Sequence, residues 1–400
     1  MQTGTAERGA REFDIVLFGA TGFVGELTAR HLAAHAPDGC RWALAGRSRD
    51  KLAALRERLA ADHPAAADLA LVTADAADAG SVADLAARSR VVASTVGPYI
   101  RYGTRLVAAC AESGTDYLDL SGEPEFVDLM YLRHHSRAKE TGARLVHACG
   151  FDSVPHDLGV RFTVEQLPEG VPLSVDGFVR SNAMVSGGTL ASVLLAFARA
   201  DRMARAAKAR RAADPRPAHR VVRTPTGTVR HDEELGVWAV PLPTLDPQIV
   251  GRSAAALDRY GPVFTYRHHA AVKRLPVVAG GLAGAAGLFA AAQLPALRRF
   301  LSARLAPGQG PDEARRARSW FSARFVGRGG GRRVVTEVAG GDPGYDETAT
   351  MLAEAALCLA HDDLPPTAGQ VTTSVAMGEA LTARLVRAGL EFRVLEDSPE

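Results

Sequence analysis

The sequence predicts an α/β protein in two parts: an N-terminal Rossmann-type, doubly wound parallel sheet, followed by a second, mixed α/β (α+β) domain. Three observations carry this. Short β-type runs alternate with helical stretches from residue 13 to about 150, a glycine-rich turn joins the first strand to the first helix, and beyond residue 155 the strands lengthen. A chain of 400 residues also exceeds one ordinary domain and suits two.

Taken in order, residues 1–12 (MQTGTAERGARE) read as a short disordered leader without the apolar core of a signal peptide. Strands are expected at 13–18, 42–45, 69–72, 91–96, 117–120 and 144–148, separated by Ala/Leu/Arg-rich helical segments, so that 13–155 form the first domain. Longer strands are expected at 173–180, 263–268, 320–326 and 333–338, with helices near 189–210, 346–361 and 372–389. The second domain then covers 156–370, and residues 371–400 are a C-terminal helix whose return to the first domain is left open.

Composition narrows the function classes. Apolar residues make up 47% and charged residues 23%, with 47 Lys/Arg against 45 Asp/Glu, a formal net charge of +2. This is the profile of a soluble enzyme, and no global field argues for nucleic acid. The four cysteines, Cys40, Cys110, Cys149 and Cys358, are isolated, which points to a reducing cytoplasm and away from a zinc cluster. No metal is expected, because Asp119 and Glu123 flank a sheet edge without a metal-type His partner.

The turn GATGFVG (Gly19, Ala20, Thr21, Gly22, Phe23, Val24, Gly25) follows the strand DIVLF and precedes the helix ELTARHLAAH, the context that a dinucleotide fingerprint requires. Gly19 permits the sharp turn, Gly22 lets backbone approach a pyrophosphate, and Gly25 lets the helix pack closely on the sheet. Free N–H groups at the helix N-terminus then hold the phosphate charge. At the end of the second strand an NAD site would carry a carboxylate; AGRSRDK places Arg47 and Ser48 there instead, suited to a 2′-phosphate. The expected cofactor is NADPH. Asp75, after the third strand, serves either the adenine amino group or a helix N-cap. Gly97, in STVGPYIRYG, falls at the carboxyl edge of the sheet beside the expected nicotinamide ribose.

Two stretches stand apart. Residues 202–230 carry nine Lys/Arg against the single acid Asp214: either a solvated helix face and loop, or a dock for an acidic partner or an anionic membrane. Residues 275–297 (LPVVAGGLAGAAGLFAAAQLPAL) are 23 uncharged residues, long enough to span a bilayer yet dominated by Ala and Gly. A span, a buried helix and a lipid-facing surface remain open for them.

GATGFVG, AGRS, TVGPY, YLDLSGE (117–123) and CGFDSVPHDLG (149–159), in this order, resemble the saccharopine dehydrogenase-like oxidoreductases. SGGTLAS (186–192) and GDPGYDETATMLAEAALCLA (341–360) are similar, more narrowly, to the branch that contains the mycobacterial trans-acting enoyl reductases. The resemblance covers nearly the whole chain. It implies NADPH as reductant and reduction of a carbon–carbon double bond in an acyl chain carried by a polyketide synthase. It also implies a role in lipid or glycolipid assembly in the cytoplasm, peripheral to the inner face of the plasma membrane. An oligomer is compatible with it. A saccharopine-reductase-like amino-acid or imino-acid dehydrogenase, and a non-catalytic NADP-binding protein associated with lipid, are the alternatives.

Enoyl reduction needs a hydride at the β-carbon, a donor to the thioester carbonyl and a proton for the α-carbon. Candidate donors are Tyr99, Ser121, Asp152, Ser153 and His156. Tyr99 either donates to an enolate oxygen or packs under the cofactor. Asp152 and Ser153 are donors or the N-cap of a helix beginning near Val154. His156 is a candidate proton donor. Cys149 reads as a buried small side chain rather than a nucleophile.

Overall fold

The computed structural model describes residues 11–183, 194–195, 197–214, 217, 219–294 and 310–399. The SGGTLAS motif and residues 295–297 of the apolar stretch lie outside this set. The chain divides into two compact units, the first holding the N-terminal residues through Phe151 and returning over Tyr345–Ala388, the second holding most of the remainder.

The first unit is built on strands β1 (Phe13–Phe18), β2 (Trp42–Gly46), β3 (Ala70–Thr73), β4 (Ser89–Ser94), β5 (Asp116–Asp119) and β6 (Arg144–Val146). Helices α1 (Phe23–His35), α2 (Arg49–Asp62), α3 (Ala79–Ala87), α4 (Tyr99–Ser113) and α5 (Pro124–Thr141) connect them. Every pairing is parallel, in the order β6-β5-β4-β1-β2-β3, the doubly wound arrangement that the alternation predicts. β1 is buried along its whole length because both faces are covered, which is why its sequence, FDIVLF, is apolar at every position but Asp14, whose carboxylate pairs with Arg41 at 3.0 Å. A seventh strand, Gly369–Val371, extends the sheet beyond β6.

The second unit opens with α6 (Val154–Glu165) and β7 (Leu173–Ser181). β8 (Val221–Arg223), β9 (Arg230–Asp232), β10 (Val237–Pro241), β11 (Val263–Val272), β12 (Phe321–Gly329) and β13 (Arg332–Gly340) follow, and the chain ends in β15 (Glu391–Pro399), β14 being the strand Gly369–Val371. The sheet is mixed, ordered β15-β13-β12-β7-β11-β10-β9, with β8 also pairing with β11. Its β7–β11 pair is parallel and its β7–β12 and β12–β13 pairs antiparallel. α6 packs on β12 and β13, and the helix Asp246–Ala256 packs on β11.

Two expectations change. The second domain does not run unbroken over 156–370: the helix Asp346–His361 and β14 belong to the first unit. That helix is buried from Ala349 to Ala360 except at half-buried Thr350, so it is core to a sheet face rather than a surface element. The C-terminal helix is shorter than 371–400, covering Gly378–Arg387 in the first unit, and the chain then forms β15. β15 is a charged edge strand held by cross-strand pairs, Arg393 to Glu337 at 2.7 Å and Arg333 to Glu396 at 2.7 Å, so it lacks the alternating apolar pattern of a half-buried strand.

A buried ion pair braces the first sheet. The Arg144 guanidinium donates to Asp116 at 2.5 Å and to the carbonyl of Leu359 at 3.4 Å, tying β5 and β6 to the returning helix. Removing one partner strands the other charge, so Arg144→Met is expected to cost about 3–5 kcal/mol. Denaturant unfolding tests this against the double variant Asp116→Leu/Arg144→Met, which should recover most of the loss; an equal loss in both variants would show that the charge is not the cause.

Candidate functional site

The glycine turn after β1 is set by two close approaches. Gly19 has φ +91°, a conformation that L side chains rarely adopt, and a Cβ there would also strike Thr95 Oγ1. At Gly25 a Cβ would sit 2.2 Å from the Gly19 carbonyl oxygen, so α1 lies directly on the turn. Thr95, just past β4, completes the clamp by donating its hydroxyl to that carbonyl at 3.0 Å. Gly22 is the N-cap of α1 and provides no side-chain cap; it and Thr21 are exposed. A cap with no side chain leaves the first turn open to an anion, as the cofactor's pyrophosphate requires. Phe23 lies edge-on to Tyr345, ring centroids 5.0 Å apart, and Val24 accepts the Thr28 hydroxyl at its carbonyl.

α4 makes the contrast. Its first N–H groups, at Tyr99 and Ile100, donate to the two oxygens of Glu123 at 2.9 and 3.0 Å. This N-terminus is already occupied by a carboxylate. Gly97 precedes it in an exposed position after β4.

At the end of β2 the chain passes from buried Gly46 to exposed Arg47. Among the described residues no hydrogen bond or ion pair is formed by the Arg47 guanidinium. The Ser48 hydroxyl accepts from the Lys51 N–H at 3.4 Å as the N-cap of α2, which leaves its proton to donate elsewhere. A Cβ at Gly46 would come 3.9 Å from Thr21 Oγ1, so the end of β2 neighbours the glycine turn. These residues fit a 2′-phosphorylated dinucleotide. Asp75 is not the N-cap of α3: that position is Asp78, which accepts from Gly80, while Asp75 closes a local turn onto the Ala77 N–H at 2.9 Å.

Tyr99 departs from the catalytic expectation. Its phenol donates to the Ser94 carbonyl at 3.0 Å and accepts from the Leu120 N–H at 3.2 Å, bracing the ends of β4 and β5. Its proton is committed inside the first unit, and burial pushes its pKa well above the ordinary value. Ser121 is buried and accepts from the Glu123 N–H. Asp119, expected to lack a His partner, has one: its Oδ2 lies 2.7 Å from His147 Nδ1. Asp119 Oδ1 also accepts from the Ser121 and Ala148 N–H groups, so one buried carboxylate orders the loops after β5 and β6. Cys149 is buried, with its thiol on the Val146 carbonyl.

In the second unit Asp152 and His156 come together with two residues that the sequence reading does not single out, Asp246 and His268. His156 Nε2 stands 3.8 Å from Asp246 Oδ1, and His268 Nε2 stands 3.5 Å from Asp246 Oδ2. The Tyr266 hydroxyl is 2.8 Å from His268 Nδ1, and Thr244 donates to Asp246. Asp157, one residue after His156, accepts from Ser253 at 2.5 Å and so ties α6 to the helix that begins at Asp246. Ser153 occupies the N-cap position of α6 but its hydroxyl does not cap it, and Asp152 is not the cap.

Burial sets the charge state here. It lowers the His156 imidazole to about 3 and pulls His268 well below its ordinary value, so both are neutral near pH 7. Burial, with the neighbouring charge of Asp152, holds the Asp246 carboxyl well above the carboxylate range. Burial raises the carboxyl of the half-buried Asp152 to about 6. The cluster therefore groups two imidazoles and two carboxyls whose charged forms burial disfavours. His156, Asp246 and His268 also present ligand-type atoms within 4.8 Å of one another.

Residues 15–146 match the family described as the saccharopine dehydrogenase NADP-binding domain. A protein of Mycobacterium tuberculosis is 40% identical over 419 residues, covering 96% of this chain and 97% of its own. The trans-acting enoyl reductase of M. tuberculosis strain H37Rv is 39% identical over 413 residues, and that of M. ulcerans 36% identical over 424, each covering 95% of this chain and 97% of the relative. Among solved structures, apo saccharopine dehydrogenase (L-Glu forming) from Saccharomyces cerevisiae shares the fold, with a TM-score of 0.52 at 11% identity, covering 96% of this chain and 99% of that one.

Two outcomes follow from this geometry. Arg47→Asp should weaken NADPH by roughly tenfold to hundredfold while leaving NADH nearly unchanged; calorimetric titration with each cofactor tests this, and equal losses would contradict it. Asp152→Asn should stabilise the fold relative to the wild type above pH 6, where the wild-type carboxyl ionises in its enclosed site, and leave it unchanged below pH 4, where both side chains are neutral. Thermal melts across that range would show a constant difference if Asp152 were solvated.

Proposed function

The chain belongs to the saccharopine dehydrogenase-like oxidoreductases, and on that premise we propose that it is an NADPH-dependent trans-acting enoyl reductase. Its substrate is an α,β-unsaturated acyl or polyketide chain held as a thioester on a carrier domain of a synthase. The observation that carries this reading is the 36–40% identity to proteins of the trans-acting enoyl reductase group, sustained over at least 95% of the chain. The exposed Arg47 supports the choice of cofactor, since no carboxylate stands there to repel a 2′-phosphate.

When bound, NADPH supplies the hydride that adds to the β-carbon of the acyl chain. The open first turn of α1 holds the pyrophosphate, and Arg47 with Ser48 grips the 2′-phosphate. Hydride addition leaves negative charge on the thioester oxygen and demands a proton at the α-carbon. Asp152 is the group we assign to deliver it, because a carboxyl with a pKa of about 6 is still partly protonated near neutrality. His156 and Asp246, neutral at that pH, keep a second proton close without adding net charge. Tyr99 has a structural part, holding the strand ends level.

Purified protein should oxidise NADPH with an enoyl thioester and not with a 2-oxo acid plus amine. Asp152→Asn should lower kcat by roughly 10²- to 10⁴-fold with little change in NADPH affinity. Turnover only with the 2-oxo acid and amine would assign the chain to amino-acid chemistry instead.

A further inference from the structure

The helix Leu275–Gln293 is apolar all round and long enough, at about 1.5 Å per residue, to match the ~30 Å hydrocarbon layer of a bilayer. It is not core. Val277 is 59% exposed and Phe289 46%, and a Cβ added at Gly280, Gly281, Gly284 or Gly287 would meet nothing within 4 Å. Among its described residues, Val278 and Ala292 near its two ends are buried, Leu288 and Ala291 are half-buried, and the others are exposed. The buried-helix alternative therefore falls away, and an exposed apolar surface of this kind calls for a partner.

The fold argues against a single crossing. The helix starts two residues after β11, and β12, the next strand, lies in the same sheet with only β7 between them. A helix that crossed a membrane would have to bring the chain back through it before Phe321. The intervening sequence carries Arg298, Arg299, Arg304, Arg315, Arg316 and Arg318, with Asp312 and Glu313, and contains no second apolar run. Charged residues at bilayer depth are costly, so no return span is available.

The surroundings of the helix are cationic. Lys273 and Arg274 precede it and are exposed. At its other end Gln293 donates to the Phe197 carbonyl at 3.0 Å, and Phe289 meets the Phe197 ring edge-on at 5.4 Å. Phe197 lies just before the helix Ala200–Ala213, whose exposed face carries Arg202, Arg205, Lys208 and Arg211. An apolar helix flanked by cations at both ends is complementary to anionic lipid headgroups over acyl chains.

We propose that Leu275–Gln293 is a monotopic anchor that lies in the interface of an anionic bilayer, with Lys273, Arg274 and the Ala200–Ala213 helix on the headgroups, and that it does not span the membrane. The proposal does not rest on the reaction assigned above. It gives the basic 202–213 stretch a lipid rather than a carrier protein as its partner.

Flotation of the full-length protein with vesicles of phosphatidylcholine and phosphatidylglycerol in equal parts tests it. The wild type should float with these vesicles and far less with pure phosphatidylcholine. Leu275→Asp/Val277→Asp, at two positions each more than half exposed, should reduce the floated fraction at least about tenfold. Arg205→Glu/Lys208→Glu should lose only the preference for anionic lipid. A fluorophore on Gly284→Cys should be quenched by nitroxides placed near the headgroups. Quenching only at the bilayer centre would favour a span and overturn the monotopic arrangement. A wild type that stays in the soluble fraction would overturn the anchor altogether. So would Asp variants that float normally, whether they instead change the oligomeric state or the KM for an acyl substrate or carrier.

Discussion

The contact on which the nucleotide site depends is between Gly25 and the carbonyl of Gly19. With no side chain at Gly25, α1 rests directly on the turn that leaves β1, where any Cβ would lie 2.2 Å from that oxygen. Its N-terminus is thereby fixed at the carboxyl end of β1. Because β1 stands between β4 and β2, this is the switch point of the sheet, where ligands of open α/β folds collect. The same strand order brings Arg47 beside the turn from one neighbour and Thr95 from the other. Helix termini are not interchangeable in this unit: α1 begins at a glycine that makes no side-chain cap, whereas α4 is closed by Glu123. A phosphate finds only the first of these two ends prepared for it.

The second unit gathers four titratable side chains where burial disfavours charge. Burying an ionised carboxylate beside a cationic imidazole demands close pairing, and the separations of 3.5 and 3.8 Å around Asp246 are too long for that. Burial instead drives each group to its neutral form, with the imidazoles deprotonated and the Asp246 carboxyl protonated. Asp152, with its carboxyl at about 6, is the member whose charge changes most readily near neutrality. Keeping such a cluster is costly to stability.

What the sequence makes legible is what is local. The strand–glycine–helix unit, the missing acid after β2 and the apolar run of β1 are each written within a few neighbouring residues, and the structure follows them closely. The residues that escape notice acquire their meaning from distant partners. Asp246 and His268 matter only because β11 and the helix Asp246–Ala256 pack near the start of α6. His147 gains its role from Asp119 on a neighbouring strand, and β15 gains its place through ion pairs with β13. Tyr99 shows the converse: its position beside the sheet edge is correctly expected, but the Ser94 carbonyl and Leu120 N–H consume the hydroxyl that chemistry would need. The apolar stretch is intermediate. Its length is plain in the sequence, whereas its exposure, and the return of the chain to the same sheet, come from the fold.

The central claim, that an NADPH-bearing first unit reduces an enoyl thioester, is tested most directly by following the hydride itself. Incubation with NADPH deuterated at the transferable position of nicotinamide C4, followed by NMR of the saturated acyl product, locates the label. One deuterium is expected at the β-carbon and a solvent-derived proton at the α-carbon. Label at the α-carbon, or a saturated product without label, would contradict it.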